Sequence, residues 1–278
     1  MNNFTQNKLK INFHITEACN FSCKFCFAKY CKKQLSFEEQ KAVIKNIADS
    51  KIFDSINFAG GEPLLIPHVP ELRKYSFDLG LKVSVITNGF LLNKEYLDKI
   101  LPFVSMIGIS VHSFDEKTKI KIGSCKKNNE ALSNEQLKFI FNYINLKNRL
   151  KESNCLLKIN TVVCSLNKNE IMKDKIENLN VSKWKILRCQ EFTSNKSLCV
   201  SETDYKNFCQ KNIFCKTKQI FENTMKDTYI MLNPAGELIK QSENGLSYAT
   251  VGSALEENIL KLMAKYSLNY ELYKKRYA

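Results

Sequence analysis

The chain has 278 residues, of which 44% are hydrophobic and 25% charged, with 9 Gly and 5 Pro. This is the composition of a globular protein, and it excludes collagen-like, low-complexity and largely disordered classes. The 42 Lys and Arg against 28 Asp and Glu, a formal net charge of +14, favour anionic ligands without selecting one.

Residues Lys10–Thr16 alternate apolar and polar side chains, the pattern of a half-buried strand. A helix over Phe37–Ala48 follows, with Ser36 as N-cap and Glu39 completing a capping box. Asp54–Ala59 reads as a strand ending at Gly60-Gly61, and Val69–Leu79 as a helix. The strand Lys82–Thr87 ends at Asn88-Gly89, and Asn93 caps a helix running to Leu101. A strand at Ser105–Val111, a helix at Asn134–Leu150 capped by Asn134, a strand at Leu156–Val163, a helix at Lys168–Leu179 and a strand at Lys183–Cys189 complete six β/α repeats. That alternation implies right-handed crossovers and a parallel sheet, with chemistry at the C-terminal ends of the strands. The expected fold is α/β, a partial (β/α)6 barrel over residues 8–192. The region 193–278 is expected to pack on the barrel and close it. It holds a helix at Thr203–Lys211, a hairpin of Tyr229–Leu232 and Glu237–Lys240 around Asn233–Gly236, and a pair of Lys-rich helices within Ser253–Tyr277.

No run of apolar residues is long enough to span a membrane. The polar segment Met1–Lys10 lacks a secretory signal pattern. The expectation is a cytoplasmic protein with no membrane partner. In a reducing compartment, 11 cysteines point to metal or redox chemistry rather than to a disulfide framework.

The first strand runs into Cys19-Asn20-Phe21-Ser22-Cys23-Lys24-Phe25-Cys26, a C-x3-C-x2-C spacing. Three thiolates on one short loop can hold three irons of a cubane cluster, leaving the fourth iron open to an amine and a carboxylate such as S-adenosylmethionine carries. The competing reading is a structural zinc site with Cys31 as fourth ligand. Joined to the +14 charge, that site would make a basic nucleic-acid binder. The strand-then-loop setting resembles the radical S-adenosylmethionine enzymes. This resemblance implies a [4Fe-4S] cluster on Cys19, Cys23 and Cys26, S-adenosyl-L-methionine as cofactor, and an electron donor such as flavodoxin or ferredoxin. It also implies cofactor contacts from Phe25, from Gly60, Gly61 and Glu62 of the GGEP turn, from Asn88, and from Ser110.

The resemblance narrows further. The run Asn12–Thr16 before the triplet, Ile56-Asn57-Phe58 before GGEP, Ser113-Phe114-Asp115-Glu116, Lys158-Ile159-Asn160-Thr161-Val162, Trp184-Lys185 and Met225–Tyr229 together resemble the viperin-like enzymes. This implies a nucleoside triphosphate substrate, CTP or UTP favoured, converted to its 3′-deoxy-3′,4′-didehydro analogue in antiviral defence, with no direct nucleic-acid contact. Alternation along the strands places Lys158 with Asn160, and Lys183 with Lys185, on shared faces. With Asn12 and Asn57 these are the expected triphosphate contacts, and Tyr229 is the candidate catalytic residue. Two departures stand out. The family arginine that grips the cofactor carboxylate is Ser124 here, for which Lys121, Lys126 or Lys127 could compensate, and a family phosphate-binding lysine is Ser55. The alternative function is a radical enzyme acting on a peptide or another metabolite, with Cys189, Cys199, Cys209 and Cys215 as a loosely spaced auxiliary set.

Overall fold

The computed structural model describes residues 8–28, 33–191, 196–214, 216–224, 227–242 and 245–277. One mixed sheet of ten strands runs in the order β10-β9-β8-β1-β2-β3-β4-β5-β6-β7 and does not close. Its centre is parallel: β1 (Leu9–His14), β2 (Phe53–Ala59), β3 (Lys82–Thr87), β4 (Met106–Ser110), β5 (Leu156–Val163), β6 (Lys183–Arg188) and β7 (Lys218–Glu222). The radical-enzyme expectation of a partial α/β barrel matches this open sheet. A seventh parallel strand, β7, extends it beyond the six expected.

The helices are α1 (Phe37–Asp49), α2 (Val69–Asp78), α3 (Lys94–Ile100), α4 (Glu116–Ile122), α5 (Asn134–Arg149), α6 (Lys173–Glu177), α7 (Glu202–Lys211), α8 (Ile259–Ala264) and α9 (Tyr270–Tyr277). The first turn of α1 is fixed as expected. The Ser36 side chain accepts from the Glu39 amide while the Glu39 carboxylate accepts from the Ser36 amide. Asn93 caps α3. The cap of α5 is Ser133 rather than Asn134. Asn134 instead donates to the Phe114 carbonyl and accepts from Lys119. The helix expected over Lys168–Leu179 shrinks to α6. Asn167 holds the preceding turn open by accepting from the Cys164 amide and donating to the carbonyls of His112 and Val162, and these bonds compete with helix formation.

The hairpin around Asn233–Gly236 forms as β8 (Met231–Leu232) and β9 (Glu237–Gln241), and β10 (Tyr248–Ser253) adds to its outer edge. β8 pairs in parallel with β1. Residues beyond 192 therefore extend the sheet at both edges: β7 beside β6, and β8–β10 beside β1. The main apolar core runs from Leu9 on β1 to Tyr273 on α9, and a second, smaller cluster gathers Phe25, Ile122, Cys164, Cys189 and Leu198.

Candidate active site

The cysteine loop leaves β1 and is clasped from two sides. The amide of Gly61 donates to the Thr16 carbonyl at 2.7 Å and that of Glu62 to the Ala18 carbonyl at 2.7 Å. A Cβ on Gly61 would stand 2.2 Å from the Ala18 carbonyl oxygen, so this contact requires glycine. On the other side the Ser22 amide donates to the Gly123 carbonyl and the Lys24 amide to the Ile122 carbonyl. Gly123, at φ +82°, ends α4, and a Cβ there would meet the Ser22 carbonyl oxygen at 2.3 Å. The glycines of the GGEP turn thus admit the neighbouring loop as well as lying beside the cavity.

Cys19, Cys23 and Cys26 all line one cavity of about 260 Å³. The Phe21 amide points at Cys19 Sγ at 3.4 Å, and the Ser124 hydroxyl hydrogen-bonds Cys23. Such donors favour thiolates. Burial chiefly, with neighbouring thiols and, at Cys19, the Glu62 carboxylate, raises both thiols, Cys19 to about 11, so a bound cation has to hold them deprotonated. Among the described residues no three His, Cys, Asp or Glu side chains are grouped to hold one metal ion. A cubane needs no such convergence, because each thiolate takes its own iron; a mononuclear zinc site does. Three cysteines on one loop suit a cubane that keeps one iron open, whereas a closed zinc site would need a fourth ligand. Cys31 lies outside the described residues.

The cavity also takes Phe25, Gly60, Gly61, Asn88 and Ser110 from the expected cofactor set. Phe25 meets His112 edge-on at 4.7 Å. Glu62 behaves differently. It is fully buried and does not line the cavity. Its carboxylate accepts from the Leu64 amide at 3.0 Å, the Thr87 hydroxyl at 2.7 Å and the Asn88 amide at 2.7 Å. Glu62 thus ties the end of β2 to the end of β3. Burial pushes its carboxyl up, and these three donors oppose the rise. Asn88 in turn donates from its side chain to Asn20 on the cysteine loop. Neither Lys121, Lys126 nor Lys127 lines the cavity where Ser124 does. Lys121 and Lys127 are exposed, and Lys126 pairs with Glu130.

Towards the N-terminal ends of the strands the lining becomes cationic. Lys10, Lys158 and Lys185 line the cavity with Asn12, Asn57, Asn160, Tyr229 and Tyr277. The register sets Asn12 beside Asn57, Asn160 beside Lys185, and Lys158 beside Lys183. Asn57 donates to Asn12 at 3.0 Å, and Asn12 donates to the Tyr277 hydroxyl. Lys183 does not line the cavity; it is half-buried, two residues nearer the strand start than Lys185, and Lys218 of β7 lies beside it. Ser55, where the family lysine is absent, has Lys10 as its register partner on β1, and Lys10 supplies an ammonium on that side.

Burial lowers all three cavity lysines: Lys185 to about 7, Lys10 to about 8, and Lys158 far below its ordinary value. Lys185 Nζ donates to the Tyr229 hydroxyl at 2.8 Å and forms an ion pair with Glu222, and Tyr229 donates to Glu222 at 3.0 Å. The Arg276 guanidinium of α9 sits 3.5 Å from the Tyr229 ring centre and 3.1 Å from Glu222.

Sequence reasoning missed Lys10, His14, His112, Glu222, Arg276 and Tyr277. The period-two rule applied to Lys158 and Asn160 would have found Lys10 and His14, which share a strand face with Asn12. Arg276 and Tyr277 act across contacts to the opposite end of the chain, which carry no local signal. Of the auxiliary cysteines, Cys189 and Cys199 lie 4.0 Å apart. Cys209 sits on α7 beside Tyr205, and Cys215 lies outside the described residues.

A sequence profile described as the Radical SAM superfamily matches residues 13–138. The chain is 33% identical to an S-adenosylmethionine-dependent nucleotide dehydratase of Selenomonas ruminantium, over 97% of this chain and 98% of that one. It is 31% identical to the same kind of protein from Psychrobacter lutiphocae, over 99% and 97% of the two chains. Among solved structures, Streptococcus suis SuiB superposes with a TM-score of 0.69 at 13% identity, covering 96% of this chain and 67% of that chain, a likeness of fold alone. The clasped cysteine loop, the cavity it opens on and these relatives together place the chain in the radical S-adenosylmethionine superfamily, within its viperin-type family of nucleotide dehydratases.

Proposed function

We propose that the protein dehydrates a ribonucleoside triphosphate, CTP or UTP by preference, to its 3′-deoxy-3′,4′-didehydro analogue. The observation that carries this reading is one cavity with three cysteines at one end and Lys10, Lys158 and Lys185 at the other. Glu222 is one carboxylate beside several cations; clustered cations short of anions are costly to bury, and a triphosphate would supply the missing negative charge. Cys19, Cys23 and Cys26 would hold a [4Fe-4S] cluster that, when reduced and bound to S-adenosylmethionine, would supply a 5′-deoxyadenosyl radical. The hydrogen on C4′ of the ribose is transferred to that radical. The C3′ hydroxyl then leaves and takes up a proton as water, and one further electron completes the C3′–C4′ double bond.

The protein's own groups do the positioning. Phe25, Gly60, Gly61, Asn88 and Ser110 line the cofactor end. Glu62 acts from behind, fixing the turn and Asn88. Lys158, Lys185, Asn160, Asn12 and Asn57 hold the triphosphate, joined by Lys10, which lines the same cavity, and Lys183 acts as an outer charge. Tyr229 is the candidate catalytic residue, its hydroxyl held between Lys185 and Glu222. The product lacks a 3′-hydroxyl and so terminates a growing RNA chain, which suits antiviral defence. The reductant is a small electron carrier such as flavodoxin or ferredoxin. No helix among the described residues is long and apolar enough to cross a membrane, and the charge excess serves the nucleotide rather than RNA or DNA. The alternative, a radical enzyme acting on a peptide or another metabolite, gives no role to the lysines that line the far end of the cavity.

The test is anaerobic incubation of the cluster-loaded enzyme with S-adenosylmethionine, a reductant and each of the four ribonucleotides, with products read by mass. A triphosphate lighter by one water, formed with 5′-deoxyadenosine, is expected from CTP or UTP. Cofactor cleavage with all four nucleotides intact would sink the reading.

A further inference from the structure

We propose that Glu222 is the positioning residue of the nucleotide end: its carboxylate favours the ammonium form of Lys185 and aims it, with the Tyr229 hydroxyl, at the bound polyanion. The inference rests on the nucleotide reading above.

Glu222 ends β7 and does not line the cavity. It stands behind the two residues that do. One carboxylate oxygen pairs with Lys185; the other accepts from Tyr229 at 3.0 Å and lies 3.1 Å from Arg276. The Lys185 and Glu222 side chains are each only 5% exposed. The charged and titratable groups around the pair are Lys10 on β1, Lys158 on β5, Tyr205 on α7, Tyr229, and Arg276 and Tyr277 on α9. Three further cations thus face one carboxylate. A role in structure alone would not require the carboxylate to contact the one cavity lysine that also holds the candidate catalytic hydroxyl.

The electrostatic logic has a definite sign. Burial is the largest influence on Lys185 and lowers it to about 7, while Glu222 is the largest opposing influence. Without that carboxylate the amine would be neutral at neutral pH, because burial disfavours the charged form. Phosphate would then have to bring a proton with it, and affinity would fall at a lower pH than in the natural enzyme. Simple repulsion between Glu222 and phosphate predicts the reverse, tighter binding once the carboxylate is gone.

The experiment titrates the cluster- and S-adenosylmethionine-loaded enzyme with CTP, UTP, ATP and GTP, by anaerobic equilibrium dialysis from about pH 6 to 8.5. It compares the natural enzyme, Glu222→Gln, Glu222→Asp, and Glu222→Gln combined with Lys185→Arg. For Glu222→Gln the loss of affinity should begin about one pH unit lower, giving binding about tenfold weaker at pH 7.5 but within a few-fold at pH 6. Glu222→Asp should fall between. The double variant should recover affinity at high pH, because a guanidinium stays protonated. An unchanged pH profile, an equal loss at every pH, tighter binding in Glu222→Gln, or no recovery in the double variant would each overturn the proposal. If Glu222→Gln retains no cluster, Glu222→Asp carries the same test with a smaller shift. Failure of the natural enzyme to bind any of the four nucleotides would instead overturn the nucleotide reading itself.

Discussion

Asn57 donates its side-chain amide to the Asn12 carbonyl oxygen at 3.0 Å, across the parallel pair β1–β2. Both side chains are buried. The bond sits inside a longer chain: the Ser84 hydroxyl donates to Asn57, and Asn12 donates onward to the Ile230 carbonyl and the Tyr277 hydroxyl. Four elements and the cavity wall meet in one polar network. Asn57→Ala should strand the Asn12 oxygen and the Ser84 hydroxyl, at a cost of about 1–3 kcal/mol of stability. Asn57→Asp should also destabilise, since it removes the donor and buries a charge. Chemical denaturation measures both; an Asn57→Ala variant as stable as the natural protein would remove the network from the account.

The triplet should be indispensable for the chemistry and dispensable for the fold. Cys23→Ala removes one iron ligand from a loop that backbone hydrogen bonds to Gly123 and Ile122 hold independently. Iron content and the cluster's visible absorption should be lost, 5′-deoxyadenosine formation should fall to background, and far-UV circular dichroism should not change. Any 5′-deoxyadenosine above background from this variant would refute the cluster assignment.

The motifs were legible because each is local. The cysteine spacing, the GGEP turn, the capping box at Ser36 and the alternation of Lys158 with Asn160 all depend on residues a few positions apart. What was not legible has specific physical causes. In α4 the run Thr118–Ile122 alternates polar and apolar residues as a strand does, yet Asp115 caps a helix that buries Lys119 and Ile122 three positions apart. The Lys119 ammonium is satisfied by Glu116, the Leu132 carbonyl and Asn134, partners no local pattern foretells. The bonds that tie Glu62 to the end of β3 were not legible, because Thr87 and Asn88 are brought to it only by the sheet. Tyr277 reaches the cavity, and Arg276 the Glu222 and Tyr229 pair behind it, from the far end of the chain, where sequence shows only a Lys-rich helix.

Lys158 should separate nucleotide binding from stability. Its ammonium faces other cations, and burial drives its pKa well down, so in the nucleotide-free protein it is a liability. Lys158→Met should raise Tm without nucleotide while weakening triphosphate binding tenfold or more, and S-adenosylmethionine cleavage should persist uncoupled from product. A variant with unimpaired nucleotide turnover would show that this lysine does not touch the substrate.

The same buried lysines set the pH dependence of stability. Lys185 and Lys10 fall to about 7 and about 8 in the folded protein, each chiefly through burial, and the unfolded chain restores 10.5. Between pH 7 and 9 the unfolded state therefore binds more protons than the folded one, so stability rises with pH in this window. Above 9 the trend reverses, because buried thiols such as Cys155, raised to about 12 from 9.0, stay protonated when their unfolded counterparts ionise. His14 and His112, lowered to about 4 by burial from 6.5, act in the same direction and exert most of their effect below pH 7, which leaves most of the window to the lysines. For cluster-loaded, nucleotide-free enzyme, Tm should climb by several degrees from pH 7 to 9. Saturating triphosphate should flatten that slope by holding the lysines charged. A melting temperature that is level or falls across this range without nucleotide would mean that the cavity lysines keep their protons in the folded state, and that burial does not govern their charge.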